Sequence, residues 1–187
     1  MIREISHKII EYISENNYSN EEKEEMEYIL NTIIFEILKI LFTVIIFSII
    51  GYFKESLIIV SIMAVTKPYI GGYHEDSQLK CFLATMLLTA GIIFMSMQTT
   101  FTFLSNGIIL LVCIFCMYHQ IPVINPNIPI TRSHLIQKNK INGLRNISLV
   151  GIVSVILYKY TNYYCIITWV IIFQTILLFN KKENIKE

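Results

Sequence analysis

Four long apolar runs constrain the fold of this chain more than any other feature of its sequence. They cover residues 33–53, 82–97, 107–116 and 163–179. A helix needs about 20 mostly apolar residues to cross the hydrocarbon core of a bilayer, and these runs approach or meet that length. Of the 187 residues, 54% are hydrophobic and only 16% are charged, a balance that lipid solvates better than water. The sequence therefore predicts an all-α, polytopic membrane protein.

The N-terminal part of the chain is more polar than the rest. Over residues 2–15, apolar and charged side chains recur at helical spacing on opposite faces, which is typical of an amphipathic helix lying on a membrane surface. Ser19 and Glu22 form a capping-box signature for a following helix that runs to about Phe53. We therefore expect residues 1–30 to form a cytoplasmic or interfacial helical segment that leads into the first crossing.

Polar interruptions separate the later crossings. Lys54 and Glu55 predict a short polar turn, and Pro68 predicts a break near Lys67, because proline disfavours helical geometry in the residue before it. Three prolines predict a rigid, basic, non-helical loop over residues 122–146. About six membrane-embedded helices or partial crossings are expected, in one domain covering residues 1–187. Their segments are 19–53, 56–66 as a partial crossing unless it extends to 70, 79–98, 102–121, 147–160 and 163–179.

The distribution of basic residues predicts the orientation in the membrane. With a cytoplasmic N-terminus, the loops hold twelve Lys or Arg inside and two, Lys54 and Lys159, outside. The opposite orientation would reverse this ratio, whereas cytoplasmic loops of membrane proteins carry the excess of positive charge. We therefore expect both termini, the polar segment 71–78 and the Pro-rich loop to face the cytoplasm.

The segment 71–78 is the densest polar interruption between two apolar stretches. Non-helical polar backbone at membrane depth is costly unless it is buried in protein or lines a watery cavity, so a functional site is expected here. His74 and Cys81 would be about 10.5 Å apart in rise on one unbroken helix, too far for a hydrogen bond. Asp76 or Ser77 is a good N-cap, and a helix starting there leaves His74 on a loop that can fold back.

Cys81 would then lie about one turn inside the new helix. The positive end of the helix and a nearby protonated His74 both favour a thiolate, which makes Cys81 a candidate nucleophile and His74 its base. Gly71 and Gly72 can bring backbone N–H groups close to a substrate carbonyl as an oxyanion site, and no cofactor is required. The alternative interpretation is that Cys81 is one of several buried thiols and His74 an ordinary loop residue.

Other polar residues have both a functional and a structural interpretation. Glu75 and Asp76 could orient the base, although acids at a helix start are more often capping charges. Cys113, Cys116 and His119 are of metal-ligand type, but their helix is apolar and lacks a second ligand pair, so we interpret them as packing residues and expect no metal. Four basic residues near the Pro-rich loop are either topology determinants or a site for an acidic ligand. They are Arg132, Lys138, Lys140 and Arg145.

The stretch Lys67-Pro-Tyr-Ile-Gly-Gly-Tyr-His74, followed by six residues and Cys81, resembles the accessory gene regulator B (AgrB) family of membrane peptidases in Gram-positive quorum sensing. The polar N-terminal segment, the several crossings and the proline-bearing basic loop extend this resemblance over nearly the whole chain. By position, it implies His74 as base and Cys81 as nucleophile. Lys67 and Gln78 stand where the family pattern has Arg and Ser, so they are supporting candidates without an assigned role.

The resemblance implies a cysteine endopeptidase in the plasma membrane of a Gram-positive bacterium. Such an enzyme removes the acidic C-terminal tail of a short propeptide with an amphipathic leader, through a thioester, toward a cyclic thiolactone or lactone autoinducing peptide. The propeptide and membrane lipid are the expected partners, nucleic acid is not, and a homodimer is left open. The alternative is a non-enzymatic transporter or transporter subunit in which residues 68–77 form a broken-helix binding site, although no matching break occurs in a second half.

Overall fold

The computed structural model describes residues 20–71, 78–122 and 133–179. Over these ranges the chain forms six helices and no strand, which confirms the all-α prediction. The amphipathic helix predicted over residues 2–15 lies outside the described ranges. The helices are α1 (Asn20–Ile49), α2 (Phe53–Ile70), α3 (Gln78–Gln98), α4 (Phe103–Gln120), α5 (Ser133–Leu157) and α6 (Tyr163–Phe179).

Four of these helices are long and apolar enough to cross a membrane. The spans are Ile29–Ile49 within α1, all of α3 and α4, and His134–Leu157 within α5. Between 17% and 22% of the residues in each span are buried, so most of their apolar side chains face outward, as lipid requires and water would not tolerate. The helix α2 has 18 residues and carries Lys54, Glu55 and Lys67, while α6 is apolar but has only 17 residues.

The turn between α1 and α2 lies earlier than the sequence predicted. Gly51 adopts φ 95°, a left-handed conformation that glycine reaches without steric cost, and the N–H of Tyr52 donates to the carbonyl of Phe47 at 2.8 Å. Lys54 and Glu55 belong to the first turn of α2, so the predicted polar turn at these two residues is wrong. A glycine that can take positive φ reverses the chain here, and the charges only follow it.

The break predicted near Lys67 is also wrong, because α2 continues through Pro68 to Ile70. Proline removes one helical N–H, which deprives the Ala64 carbonyl of its usual donor. In a membrane protein such a site is tolerated where neighbouring helices supply other hydrogen bonds. Asn146 of α5 does so one residue away, since its Nδ2 donates to the Val65 carbonyl at 2.9 Å.

The Pro-rich loop ends well before the predicted residue 146, because α5 begins at Ser133. Lys138, Lys140 and Arg145 therefore lie on a helix and not on a loop, and Arg132 lies outside the described residues. The local sequence is rich in Asn and contains Gly143, all poor helix formers. Tertiary packing overrides this preference, since Gly143 and Ile147 form a buried face of α5.

The chain divides into two compact units, Met1–Ile46 and Phe47–Glu187, and the single domain expected from the sequence stays a prediction. In the first unit, Glu36 and Lys39 form an ion pair one turn apart on α1, so each charge in this apolar span has an opposite charge beside it. In the second unit, α6 packs against α2, α3, α4 and α5. The helix α6 carries no charged residue, and ten of its 17 residues are buried, as expected of a mainly apolar helix in the centre of the packing.

A buried polar cluster joins three helices of the second unit. The Thr168 hydroxyl of α6 donates to Asn106 Oδ1 of α4 at 2.6 Å, and Asn106 Nδ2 donates to Ser154 Oγ of α5 at 3.4 Å. All three side chains are fully buried. Hydrogen bonds of this kind tie helices together in lipid, where no water competes for the same groups.

Candidate active site

Cys81 is the fourth residue of α3 and lies in its first turn, close to the position predicted from the sequence. Its thiol is half-buried and is not part of a disulfide. Its backbone carbonyl accepts a hydrogen bond from the Thr85 hydroxyl at 2.9 Å, and Thr85 is buried. Cys81 therefore sits at the N-terminal end of a regular helix, where the helix dipole favours negative charge.

Cys81 lines a small cavity of about 60 Å³ that three helices build together. This is several times the roughly 10–15 Å³ that one water molecule needs, so the cavity can admit a small group of a bound molecule. Apart from the thiol and Lys67, its walls are mainly apolar. The lining residues are Met63 and Lys67 of α2, Cys81, Ala84, Thr85 and Leu88 of α3, and Leu177 of α6.

The structure thus brings together two sequence-predicted residues, Cys81 and Lys67, in one cavity. Lys67 is half-buried and lies in the last turn of α2, whereas Cys81 lies in the first turn of α3. These two helix ends are consecutive along the chain and are joined by residues 72–77. The thiol and the Lys67 side chain therefore line the same mainly apolar cavity.

Gly71 ends α2 with φ 72°, again in the left-handed region that favours glycine. Its N–H donates to the Lys67 carbonyl at 3.0 Å, so this donor closes the helix end in the structure. An oxyanion contact from the same N–H would need that bond to open, and the oxyanion role stays a prediction. Gly71 directs the chain out of α2 toward the polar segment.

Gly72, His74, Glu75 and Asp76 lie outside the described residues. Gln78 is exposed at the start of α3 and does not line the cavity.

The basic residues of α5 form a separate group that does not line the cavity. Lys138 and Arg145 are exposed. Lys140 places its Nζ 4.6 Å from the centroid of the Tyr118 ring, within the range of a cation–π contact.

A buried hydrogen bond behind the cavity was missed by the sequence analysis. Gln174 Nε2 of α6 donates to Thr66 Oγ1 of α2 at 2.8 Å, and the same hydroxyl donates to the Ile62 carbonyl at 2.7 Å. Thr66 precedes Lys67, and Gln174 lies one turn before Leu177, another cavity residue. Burying a glutamine in an apolar membrane helix costs free energy unless it is hydrogen-bonded. The glutamine in this apolar run is therefore the sequence signal that could have predicted the hydrogen bond.

Of the other cysteines, Cys113 and Cys165 are buried in the protein interior and Cys116 is half-buried. Cys113 is buried in a core cluster with Leu110, Met117 and Ile171. Cys165 is buried, and its thiol donates to the Thr99 carbonyl at 3.1 Å. These positions agree with the packing interpretation of Cys113.

Together, these features define a polytopic helical membrane protein with a cysteine in a small cavity at the end of a helix bundle. The model of the accessory gene regulator B family matches residues 6–178. The chain therefore belongs to the AgrB family, as the resemblance predicted. It is a membrane protein with a role in the accessory gene regulator quorum-sensing system.

Three relatives come from Clostridium perfringens. The chain is 40% identical over 184 residues to AgrB-like protein 1 of strain 13, covering 98% of each chain. It is 28% identical to an AgrB-like protein of strain SM101 and 26% identical to AgrB-like protein 2 of strain 13, each over 84% of this chain and 79% of the relative. No solved structure matches the chain.

Proposed function

We propose that this protein is a membrane cysteine endopeptidase that cleaves the acidic tail from a quorum-sensing propeptide, with Cys81 as nucleophile and His74 as base. The observation that carries the proposal is the cavity that Cys81 and Lys67 both line, between the ends of α2 and α3. Membership of the AgrB family supports autoinducer peptide processing as the role of that cavity.

The first chemical step forms an acyl-enzyme. His74 takes the proton of the Cys81 thiol, and the thiolate attacks the carbonyl carbon at the end of the signal segment. When the tetrahedral intermediate collapses, the C–N bond breaks and His74 returns the proton to the leaving amine. The acidic tail departs with a free amino group, and the rest of the propeptide remains on Cys81 as a thioester.

The second step closes a ring. A Cys thiol or Ser hydroxyl within the bound propeptide loses its proton to His74 and attacks the thioester, and Cys81 leaves as a thiol after it regains that proton. With a Cys nucleophile one thioester replaces another, so the exchange is close to energy-neutral, whereas hydrolysis is strongly downhill. A cavity with mainly apolar walls suits this need, because it keeps water away from the acyl-enzyme.

The proposed orientation places the cavity at the cytoplasmic face of the plasma membrane of a Gram-positive cell. Lys67 and Lys80 flank the residues that join α2 and α3, and Lys138, Lys140 and Arg145 lie in the first half of α5. An excess of basic residues at one end of a bundle supports a cytoplasmic location for that end. The basic residues of α5 are the proposed contacts for the acidic tail, which would arrive from the cytoplasm.

The proposal is tested with membranes that contain the protein and a synthetic propeptide made of an amphipathic leader, a Cys-containing segment and an acidic tail. We expect native membranes to release the tail, and intact-protein mass spectrometry to detect a hydroxylamine-sensitive adduct on Cys81. His74→Ala and Cys81→Ala should abolish cleavage while remaining in the membrane, because both residues act in the chemistry and neither anchors a helix.

Cys116→Ala is the matched control, because Cys116 is the other half-buried thiol and lies on α4, away from the cavity. It should still cleave. If Cys81→Ala cleaved the propeptide and Cys116→Ala did not, the assignment of the nucleophile would be wrong. If native membranes released no tail, the non-enzymatic transporter interpretation of this chain would instead be favoured.

A further inference from the structure

The last two turns of α2 hold Lys67, the cationic wall of the cavity, and contain Pro68. A proline in the last turns weakens the internal hydrogen bonding of a helix, so the path of this segment depends on what surrounds it. Three contacts from other helices act on it, and none of them comes from the proposed catalytic pair.

Asn146 of α5 makes the first contact. Its Nδ2 donates to the Val65 carbonyl at 2.9 Å, across a separation of 81 residues in the chain. Val65 adjoins Ala64, whose carbonyl loses its helical donor to Pro68. Asn146 therefore holds α2 at the point where its own hydrogen bonds are weakest.

Gln174 of α6 makes the second contact, through the Thr66 hydroxyl. The Thr66 proton is committed to the Ile62 carbonyl at 2.7 Å, so Thr66 Oγ1 can only accept, and the Gln174 amide nitrogen must face it. This arrangement leaves Gln174 Oε1 buried without a partner in the part of the chain that the structure describes. A buried acceptor without a donor lowers the stability of the fold, so the hydrogen bond between Gln174 and Thr66 is kept despite an unfavourable free-energy term.

The third contact is steric. The backbone of Gly143 on α5 approaches Ile70 so closely that a Cβ built on Gly143 would lie 3.0 Å from Ile70 Cγ2. Ile70 is the last residue of α2 and is buried. The end of α2 therefore packs against α5 between Asn146 and Gly143. Gln174 of α6 contacts the same part of α2.

We propose that Asn146 and Gln174 are positioning residues that place the proline-containing end of α2 so that Lys67 reaches the Cys81 cavity. This inference rests on the proposed function, since it takes that cavity as the reactive site. Both residues act through Lys67 and touch neither the thiol nor a substrate. Loss of either hydrogen bond would let the end of α2 move and would take the ammonium group away from the thiol.

The test measures how fast N-ethylmaleimide alkylates Cys81 in detergent-solubilised full-length protein, followed on the Cys81 peptide by mass spectrometry. Lys67 and the Cys81 thiol line the same cavity, so the alkylation rate reports whether the end of α2 keeps its place beside Cys81. We expect Asn146→Ala to slow alkylation by about threefold or more in the native chain, but by less than about 1.5-fold in a Lys67→Met background, because the effect passes through Lys67.

Asn142→Ala is the matched control, since Asn142 lies one turn away on α5 and its side chain makes no hydrogen bond with any residue the structure describes. Its alkylation rate should equal that of the native protein. An equal slowing by Asn146→Ala in both backgrounds would show a merely structural defect and overturn the proposal, as would no slowing in the native chain.

Gln174→Met keeps the proposal testable if Asn146→Ala fails to fold. This change removes the unpartnered Oε1 and leaves the Thr66 hydroxyl bonded to Ile62, so thermal stability should stay the same or rise while Cys81 alkylation slows. A stability loss with unchanged alkylation would refute the positioning role. The alkylation assay needs no propeptide, so it can succeed even if the cleavage reaction proposed above is wrong.

Discussion

The close approach of α5 to the end of α2 predicts that two glycines on one helix respond in opposite ways to the same substitution. Alanine at Gly143 would place its Cβ 3.0 Å from Ile70 Cγ2, 3.4 Å from Ile121 Cδ1 and 3.5 Å from the Ile70 backbone nitrogen. Alanine at Gly151 would meet only Ile114 Cδ1, at an ordinary 3.7 Å. Both glycines are helical and buried, so the two variants differ chiefly in the space available.

The magnitudes follow from two opposing terms. Replacing a helical glycine by alanine stabilises the helix by up to about 1 kcal/mol. Overpacking a well-filled interior costs about 1–3 kcal/mol, and Ile70 has little freedom to move because its Cγ2 is close to the backbone and the side chain is buried. Gly151→Ala should therefore stabilise the protein, whereas Gly143→Ala should lose about 1–3 kcal/mol relative to Gly151→Ala.

The assay is reversible unfolding by sodium dodecyl sulfate in mixed micelles, followed by tryptophan fluorescence of Trp169. Cys81 alkylation measured on the same samples should be slower in Gly143→Ala, because the displaced Ile70 precedes Gly71 and the chain that leads toward α3. If Gly143→Ala were as stable as Gly151→Ala, or more so, the end of α2 would not be packed against α5 as the distances indicate.

Two further predictions concern the buried polar cluster and the basic residues of α5. Thr168→Val keeps the side-chain shape but leaves Asn106 Oδ1 without its donor, so it should lower the free energy of unfolding by about 1–3 kcal/mol in the same assay. Thr175→Val should lower it by less, because the Thr175 hydroxyl donates to a carbonyl of its own helix. Replacing the three basic residues of α5 by Gln should raise the KM for an acidic-tailed propeptide more than it lowers kcat, with a smaller effect at high salt. Lys159→Gln, between α5 and α6, is the control. If a neutral tail raised the KM of the native and the variant enzyme by the same factor, the basic residues of α5 would serve topology alone.

Much of the fold is local in origin and was therefore accessible from the sequence. The boundaries of α3, α4 and α6 were predicted to within a residue or so, because each begins or ends where an apolar run meets polar or helix-capping residues. Thr102 caps α4 by accepting the Ser105 N–H. Cys81 was placed in the first turn of α3 for the same reason: helix starts are set by a few neighbouring residues.

Two of the errors share one cause, which is that a distant residue overrode a local preference. Pro68 and the Asn-rich start of α5 both disfavour helix locally, yet each segment is helical because the two pack on one another through Asn146 and Gly143. The error at Lys54 and Glu55 is local, because the turn is made by Gly51 at positive φ and not by the two charged residues.

The sequence by itself thus determined which segments are long and apolar enough to cross a membrane and which residue types are available for chemistry, since hydrophobic length and residue type are properties of short stretches. Only the tertiary structure decided that Lys67 joins Cys81 in one cavity and that Gln174, 108 residues from Thr66, supports the helix behind it. Such pairings depend on how helices pack, and packing is set by contacts between residues far apart in the chain, which no local pattern records.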